Sequence, residues 1–394
     1  MIKKPIVSAI VAICGSFLLS MANGSAVTES GGTVAVRKIV PQEGYAWPEK
    51  ERLYWPTRGW ETAPMELHGI DPEKMALARQ LVTDDTYLRS LLVIKDGYLV
   101  FEEYFNGGRP EQSTEVWSVT KSFTSALVGI AIDKGQVEDV DDLMLEYLPN
   151  YLEFGDMTIR HVLTHTTGLE WTEEGDEFVG WVESEDWIEN AVRRERLSVP
   201  GEVLHYSSGN SHFLSGLIKA ATGKTPGEYA REHIFDPLGI AFEKQKAGSN
   251  RRTWDDFLVR TPRTWKQDSK GLEVGAFGLH LTAREMAKFG YLFLNKGRWD
   301  NKTILSEKWV EESTRDHVLR TGNFGFGFQW VVSEHGGQIA FNADGWGGQI
   351  ICVIPGLDMV VVMKSDSESP GGHPYYQILA RVIEAGVPRP KVTR

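Results

Sequence analysis

Ser118-Val119-Thr120-Lys121 is the one Ser-x-x-Lys in the chain. On a helix, a three-residue spacing sets hydroxyl and amine on one face, where the amine can take the hydroxyl's proton. The flanking sequence supports such a helix: an apolar-periodic segment runs from Ser118 to Lys134 and stops at Gly135, a residue suited to a C-terminal cap. Ser118 then opens the helix, where unpaired N–H groups and the dipole favour negative charge. A developing oxyanion held by the Ser118 N–H, and a lysine whose pKa burial lowers so that it can act as a base, would together make an acyl-transfer centre. The spacing alone is equally compatible with a Ser118 that caps the helix and a Lys121 that reaches out to solvent.

Other signatures are missing. Gly209-Asn210-Ser211-His212-Phe213 fails the Gly-x-Ser-x-Gly pattern at its last position. No Walker loop, and no Gly-x-Gly-x-x-Gly after a strand, offers a nucleotide site. His161 and His165 stand four apart without the glutamate of His-Glu-x-x-His, so a helix end running into the turn Thr166-Thr167-Gly168 is expected there, and no metal site. Two further segments add to Ser118 and Lys121. Tyr206, in His205-Tyr206-Ser207-Ser208-Gly209-Asn210, lies on a short loop before a helix expected from about Ser211 to Thr222, so its phenol can reach a neighbouring site. His205 beside it reads as a packing histidine. Gly345-Trp346-Gly347-Gly348-Gln349 leads into an apolar strand, and its glycines let a substrate approach the backbone.

Together these segments resemble those of the serine β-lactamase and penicillin-binding superfamily, in its class C-like branch with the family VIII carboxylesterases and 6-aminohexanoate-dimer hydrolases. The resemblance runs from about residue 70 to 385 and takes in Ile159 to Leu169, Pro200-Gly201 and Phe324-Gly325-Phe326-Gly327. It implies an α/β (α+β) chain of β-lactamase/transpeptidase-like fold: an antiparallel sheet flanked by helices, with an α-rich subdomain and the site in the cleft between them. By the same resemblance Ser118 is the acylated nucleophile, Lys121 the general base, and Tyr206 the relay that returns the proton to the leaving group. The oxyanion hole would be the N–H groups of Ser118 and Gln349, with Ser208, Trp346, Gly347 and Gly348 against the substrate. The implied partner is a small-molecule ester or amide, with no cofactor and no metal.

Departures from the family pattern matter as much. Trp346 stands where the β-lactamases and penicillin-binding enzymes carry a lysine that helps hold the substrate carboxylate, and a neutral indole supplies no charge. Ser208 stands where the second box usually ends in Asn. Glu146 to Asn150 matches a Glu-x-x-x-Asn loop but precedes Tyr206, and reads as a helix end. These departures favour esters or non-β-lactam amides. A β-lactamase or peptidoglycan D-peptidase is the alternative activity, and a non-catalytic binding protein on the same fold is the alternative of another class. Between the matching segments, Glu170 to Glu189 holds nine Asp/Glu, no Lys or Arg, and Trp171, Trp181 and Trp187. Either it is a solvated acidic stretch with tryptophans packed inward, or it is a lid with an aromatic wall and an acidic rim, suited to neutral or amine-bearing substrates.

These groups must be positioned by a chain of 394 residues, two or three domains' worth at roughly 150 residues per domain. With 41% apolar and 24% charged residues the composition is that of a soluble globular protein. A net charge of −12 argues against nucleic acid or an anionic membrane surface as partner, since both need a basic face. Lys3 and Lys4, the apolar run Ile6 to Leu19 and the small residues from Ser20 to Ala26 form a secretory signal, cut after Ala22 or Ala26 and too short to remain as a span. A periplasmic or secreted protein is expected. Cys14 would leave with the signal, and Cys352 would remain as a small buried hydrophobe within Ile350 to Ile354.

The expected organisation is a signal at 1–26, an extended arm at 27–70, an α/β domain from 71–135 with 266–394, and an α-rich subdomain at 136–265. Asp71-Pro72 opens a helix to about Val82, and Asp96-Gly97 turns a hairpin between Leu91 to Ile94 and Tyr98 to Phe105. Thr282-x-x-Glu285 is a capping box for a helix ending at Gly297, and Ser306 caps another. Strands are expected at Phe326 to Val332, Gln338 to Phe341, Gln349 to Ile354 and Met359 to Met363, with a turn at Pro355-Gly356 and a closing helix from His373 to Ala385.

Overall fold

Asp96 and Gly97 both adopt positive φ, 54° and 93°, as a two-residue hairpin turn matched to strand twist requires. They join β1 (Leu88–Lys95) to β2 (Tyr98–Tyr104) as the sequence predicts. The computed structural model describes residues 44–83, 87–243, 253–258, 262–319, 324–366 and 374–388. The segment expected to be a secretory signal, with Cys14, lies outside the described residues. Six strands follow near the other end of the chain: β3 (Val318–Leu319), β4 (Phe324–Phe326), β5 (Val331–His335), β6 (Gln338–Gly345), β7 (Gln349–Ile354) and β8 (Met359–Ser365). All eight form one antiparallel sheet in the order β2-β1-β8-β7-β6-β5-β4-β3. β1 lies against β8 from Leu88 opposite Ser365 to Lys95 opposite Met359, so the N-terminal hairpin enters the sheet beside its last strand.

Alternation along the strands divides the apolar residues between two layers. Leu91, Val93, Cys352 and Val361 face α1 (Pro72–Thr83) and α5 (Tyr375–Gly386). Leu92, Ile94, Ile351, Val353 and Val362 face the larger core, which contains α2 (Val119–Asp133) and α4 (Ala283–Leu294). Every residue of α2 from Val119 to Ala131 is buried, because the sheet lies on one side and an α-rich layer on the other. That layer is built from short helices and α3 (Ser208–Thr222), with no strand among the described residues from 136 to 265. Thr282 and Glu285 complete the expected capping box of α4, and Ser306 Oγ accepts from Trp309 N–H to cap the next helix. In the described part of the arm, Tyr45, Trp47, Trp55 and Trp60 pack against the larger core.

Two expectations need correction. The single strand expected from Phe326 to Val332 breaks into β4 and β5, because Gln329 takes φ 63° and its side chain turns into the α-rich layer. The helix expected from Ser211 starts at Ser208, because Ser207 is the residue whose hydroxyl caps it, accepting from Asn210 N–H at 3.0 Å.

Candidate active site

Trp117, directly before Ser118, holds a left-handed φ of 49°, a conformation that costs energy in a non-glycine residue and sharpens the entry to α2. Ser118 takes the N-cap position, yet its hydroxyl makes no capping hydrogen bond. Lys121 Nζ donates to Ser118 Oγ at 2.9 Å instead. Lys121 is 2% exposed, so the alternative of a capping serine and a solvent-seeking lysine is not the one the fold adopts. The same Nζ donates to Ser208 Oγ at 3.1 Å and to Ala276 O at 3.2 Å, and stands 4.7 Å from the centre of the Tyr206 ring. Four side chains named from the sequence, Ser118, Lys121, Tyr206 and Ser208, therefore converge.

Each is held by its element. Capping by Ser207 makes Ser208 the first residue of α3 and points its backbone and hydroxyl at the site. His165, expected as part of a helix end, does more: Ser207 N–H donates to its Nδ1 at 3.1 Å, and its ring lies 4.6 Å from that of Tyr206. An accepting Nδ1 puts the ring's proton on Nε2. Asn210 Nδ2 donates to Thr167 Oγ1 at 2.9 Å, tying α3 to the Thr166-Thr167-Gly168 turn. Ala276 is fixed beside α2 because Thr124 Oγ1 donates to Gly275 O, while Gly275 N–H donates to His212 Nδ1, whose Nε2 faces Asp268 Oδ2 at 3.1 Å.

On the sheet side, the glycine that lies against Ser118 is Gly345, the last residue of β6. A Cβ there would stand 2.3 Å from Val116 O and 3.3 Å from Ser118 N, so this approach admits no side chain. Trp346 is half-buried, and Gly347 and Gly348, at φ 72° and 86°, complete the turn into β7. A Cβ at Gly348 would lie 3.0 Å from Ser365 Oγ and 3.0 Å from the Tyr375 ring. Gln349 is paired with Gly345 across the turn, and its buried side chain donates Nε2 to Ser365 O at 2.9 Å.

The sequence reading missed Glu173. Its Oε2 accepts the Ser208 hydroxyl at 2.8 Å, and its Oε1 accepts Ser208 N–H at 2.7 Å and Trp171 Nε1 at 2.8 Å. It lies in the acidic stretch, where the tryptophans proved to be core: Trp171, Trp181 and Trp187 are all buried. The aromatic wall of a lid is thereby removed. Neighbouring acids are occupied structurally, Asp186 capping the helix Trp187–Val192, Glu177 pairing with Arg194 and Glu189 with Arg193. Gln329 was also missed; it accepts from Ser211 Oγ and donates to Val162 O and Leu163 O beneath the site. Neither residue carries a local spacing signal. Cys352 faces the other layer, and burial pushes its thiol well above the ordinary value.

A family profile described as Beta-lactamase matches residues 86–383. The 6-aminohexanoate-dimer hydrolase of Paenarthrobacter ureafaciens is 20% identical over 76% of this chain and 78% of that protein. Penicillin-binding protein 4 of Amycolatopsis lactamdurans is 23% identical over 63% of this chain and 71% of that protein. Among solved structures, EstCE1, a hydrolase with promiscuous acyltransferase activity, superposes with a TM-score of 0.60 at 16% identity, covering 80% of this chain and 98% of that one.

Proposed function

The chain belongs to the Beta-lactamase family, and from that premise we propose that it is an exported serine hydrolase cleaving ester or amide bonds through an acyl-enzyme. The observation that carries the reading is the buried Lys121 amine 2.9 Å from Ser118 Oγ. As a free amine, Lys121 takes the Ser118 proton while Oγ bonds to the substrate carbonyl carbon and the carbonyl π pair moves onto oxygen. That oxyanion is held by the Ser118 N–H and by an N–H of the turn from Gly345 to Gln349, with Gln349 the donor the family pattern implies. The carbonyl then re-forms, the bond to the leaving alcohol or amine breaks, and the departing group takes the proton from Lys121 by way of Tyr206. Water attacks the acyl carbon by the same route and restores Ser118.

Substrate choice follows from what surrounds the nucleophile. Trp346 offers an apolar indole where a cationic side chain would hold a β-lactam carboxylate, which favours esters and non-β-lactam amides. A cleaved leader at residues 1–26 would direct the activity to the periplasm or outside the cell; no helix among the described residues is long and apolar enough to cross a membrane.

Expressed with its leader and treated with a fluorophosphonate probe, the exported fraction is expected to contain a labelled protein, while the Ser118→Ala form stays unlabelled. Equal labelling of both forms would end the hydrolase reading and leave a binding protein on this fold. Label confined to the cytosol would end the export reading alone. A short-chain nitrophenyl ester and an aminohexanoate dimer should be turned over faster than a chromogenic cephalosporin; the reverse order would restore the β-lactamase alternative.

A further inference from the structure

Resting on that reading, we propose that Glu173 is a positioning residue for acyl transfer: by taking the hydroxyl proton of Ser208, it turns the lone pair of Lys121 onto Ser118. A serine hydroxyl has one proton to give and lone pairs with which to accept. Ser208 gives its proton to Glu173 Oε2 at 2.8 Å and accepts from Lys121 Nζ at 3.1 Å. Ala276 O, at 3.2 Å from Nζ, is a carbonyl and can only accept. When Lys121 is a neutral amine, its two protons are drawn to these two oxygens. The lone pair is left for Ser118, 2.9 Å away, which is the direction proton abstraction needs. After the transfer, the carboxylate stands one hydroxyl away from the new ammonium and stabilises it.

Glu173 is itself fixed. Two N–H donors, Ser208 N and Trp171 Nε1, hold Oε1 in place. Trp171 packs so tightly on α3 that a Cβ at Gly209 would lie 2.4 Å from its ring. The arrangement answers the departure at position 208. An Asn there offers Lys121 an amide oxygen with a set orientation, whereas a serine hydroxyl rotates and needs a partner to aim it.

The test is Glu173→Gln. The two N–H donors demand the amide oxygen at the Oε1 position, so the NH2 group falls against Ser208 Oγ and turns that hydroxyl toward Lys121. Its proton then competes for the lone pair. The expected result is a fall of about 10- to 100-fold in the fluorophosphonate labelling rate and in ester acylation, the size of one lost charge-assisted hydrogen bond, with KM and melting temperature close to wild type. In a Ser208→Asn background, where Asn presents its own oxygen, Glu173→Gln should cost nothing further. An unchanged rate, or the same loss in both backgrounds, overturns the proposal. Should Glu173→Gln fail to fold, Ser208→Ala reports instead: the same fall is expected, and a wild-type rate overturns it. A wild-type protein not labelled at Ser118 removes the hydrolase reading together with this one, whereas a labelled wild type and an unaffected Glu173→Gln remove this one alone.

Discussion

Lys121 Nζ donates to three acceptors around the site: Ser118 Oγ, Ser208 Oγ and Ala276 O. All three are neutral oxygens, which an amine can face as well as an ammonium. Lys121→Met should therefore lower the labelling rate of Ser118 by about 10²- to 10⁴-fold, the span of a lost general base, and Lys121→Arg should not restore it, because a guanidinium stays protonated. Labelling rates measured beside melting curves check this, and recovery by arginine would rule out the base role. The four converging residues were legible because each lies inside a short segment whose spacing is read locally. Glu173 and Gln329 were not, because their bonds to Ser208 and Ser211 span 35 and 118 residues, and no local pattern encodes such a partner.

At the scale of elements, the end of β6 sets the nucleophile's position as much as α2 does. Gly345→Ala puts a methyl 2.3 Å from Val116 O, so either the loop carrying Ser118 or the strand must move. We expect a loss of about 1–3 kcal/mol in stability, as for other overpacked sites, with a steep fall in acylation. Denaturant unfolding and labelling rates measured together check it; a variant with both unchanged would show that this contact does not set the geometry. Asp96-Gly97, the Thr282 capping box and α2 were readable in advance, since turn chemistry, caps and apolar periodicity act over a few residues. The start of α3 was misplaced because Ser207, Ser208 and Ser211 are all cap-forming types, and only the fold selects Ser207. The break between β4 and β5 was hidden for another reason. Gln329 is held at positive φ by bonds to Val162 and Leu163, in a different part of the chain.

At the scale of the whole molecule, a half-buried carboxyl ties stability to acidity. Burial pushes the Asp316 carboxyl up from its ordinary 3.8 to about 6. Between those two values the folded chain binds more protons at this site than the unfolded chain, so stability from this group is lost as pH rises through the window. Relative to Asp316→Asn, the wild type should gain stability on going from pH 7 to pH 4. Denaturant midpoints at the two pH values measure it, and no relative gain would show that the carboxyl is not strained by burial. That strands near both ends of the chain share one sheet was readable from their apolar runs. The order of those strands, and the meeting of α2 with α3 above them, came from packing that no single segment contains.

The pairing of β1 with β8 has a consequence in time. Leu88 and Ser365 are neighbours in the sheet, yet they stand 277 positions apart in a chain of 394 residues. Contacts this distant in sequence give a high contact order and slow folding, because the loop must close before the strands reward it. Until β8 emerges, β1 and β7 have no partner on their shared side, and the central apolar strands stay open to solvent or to a chaperone. The sheet therefore cannot close until its last strands have been made.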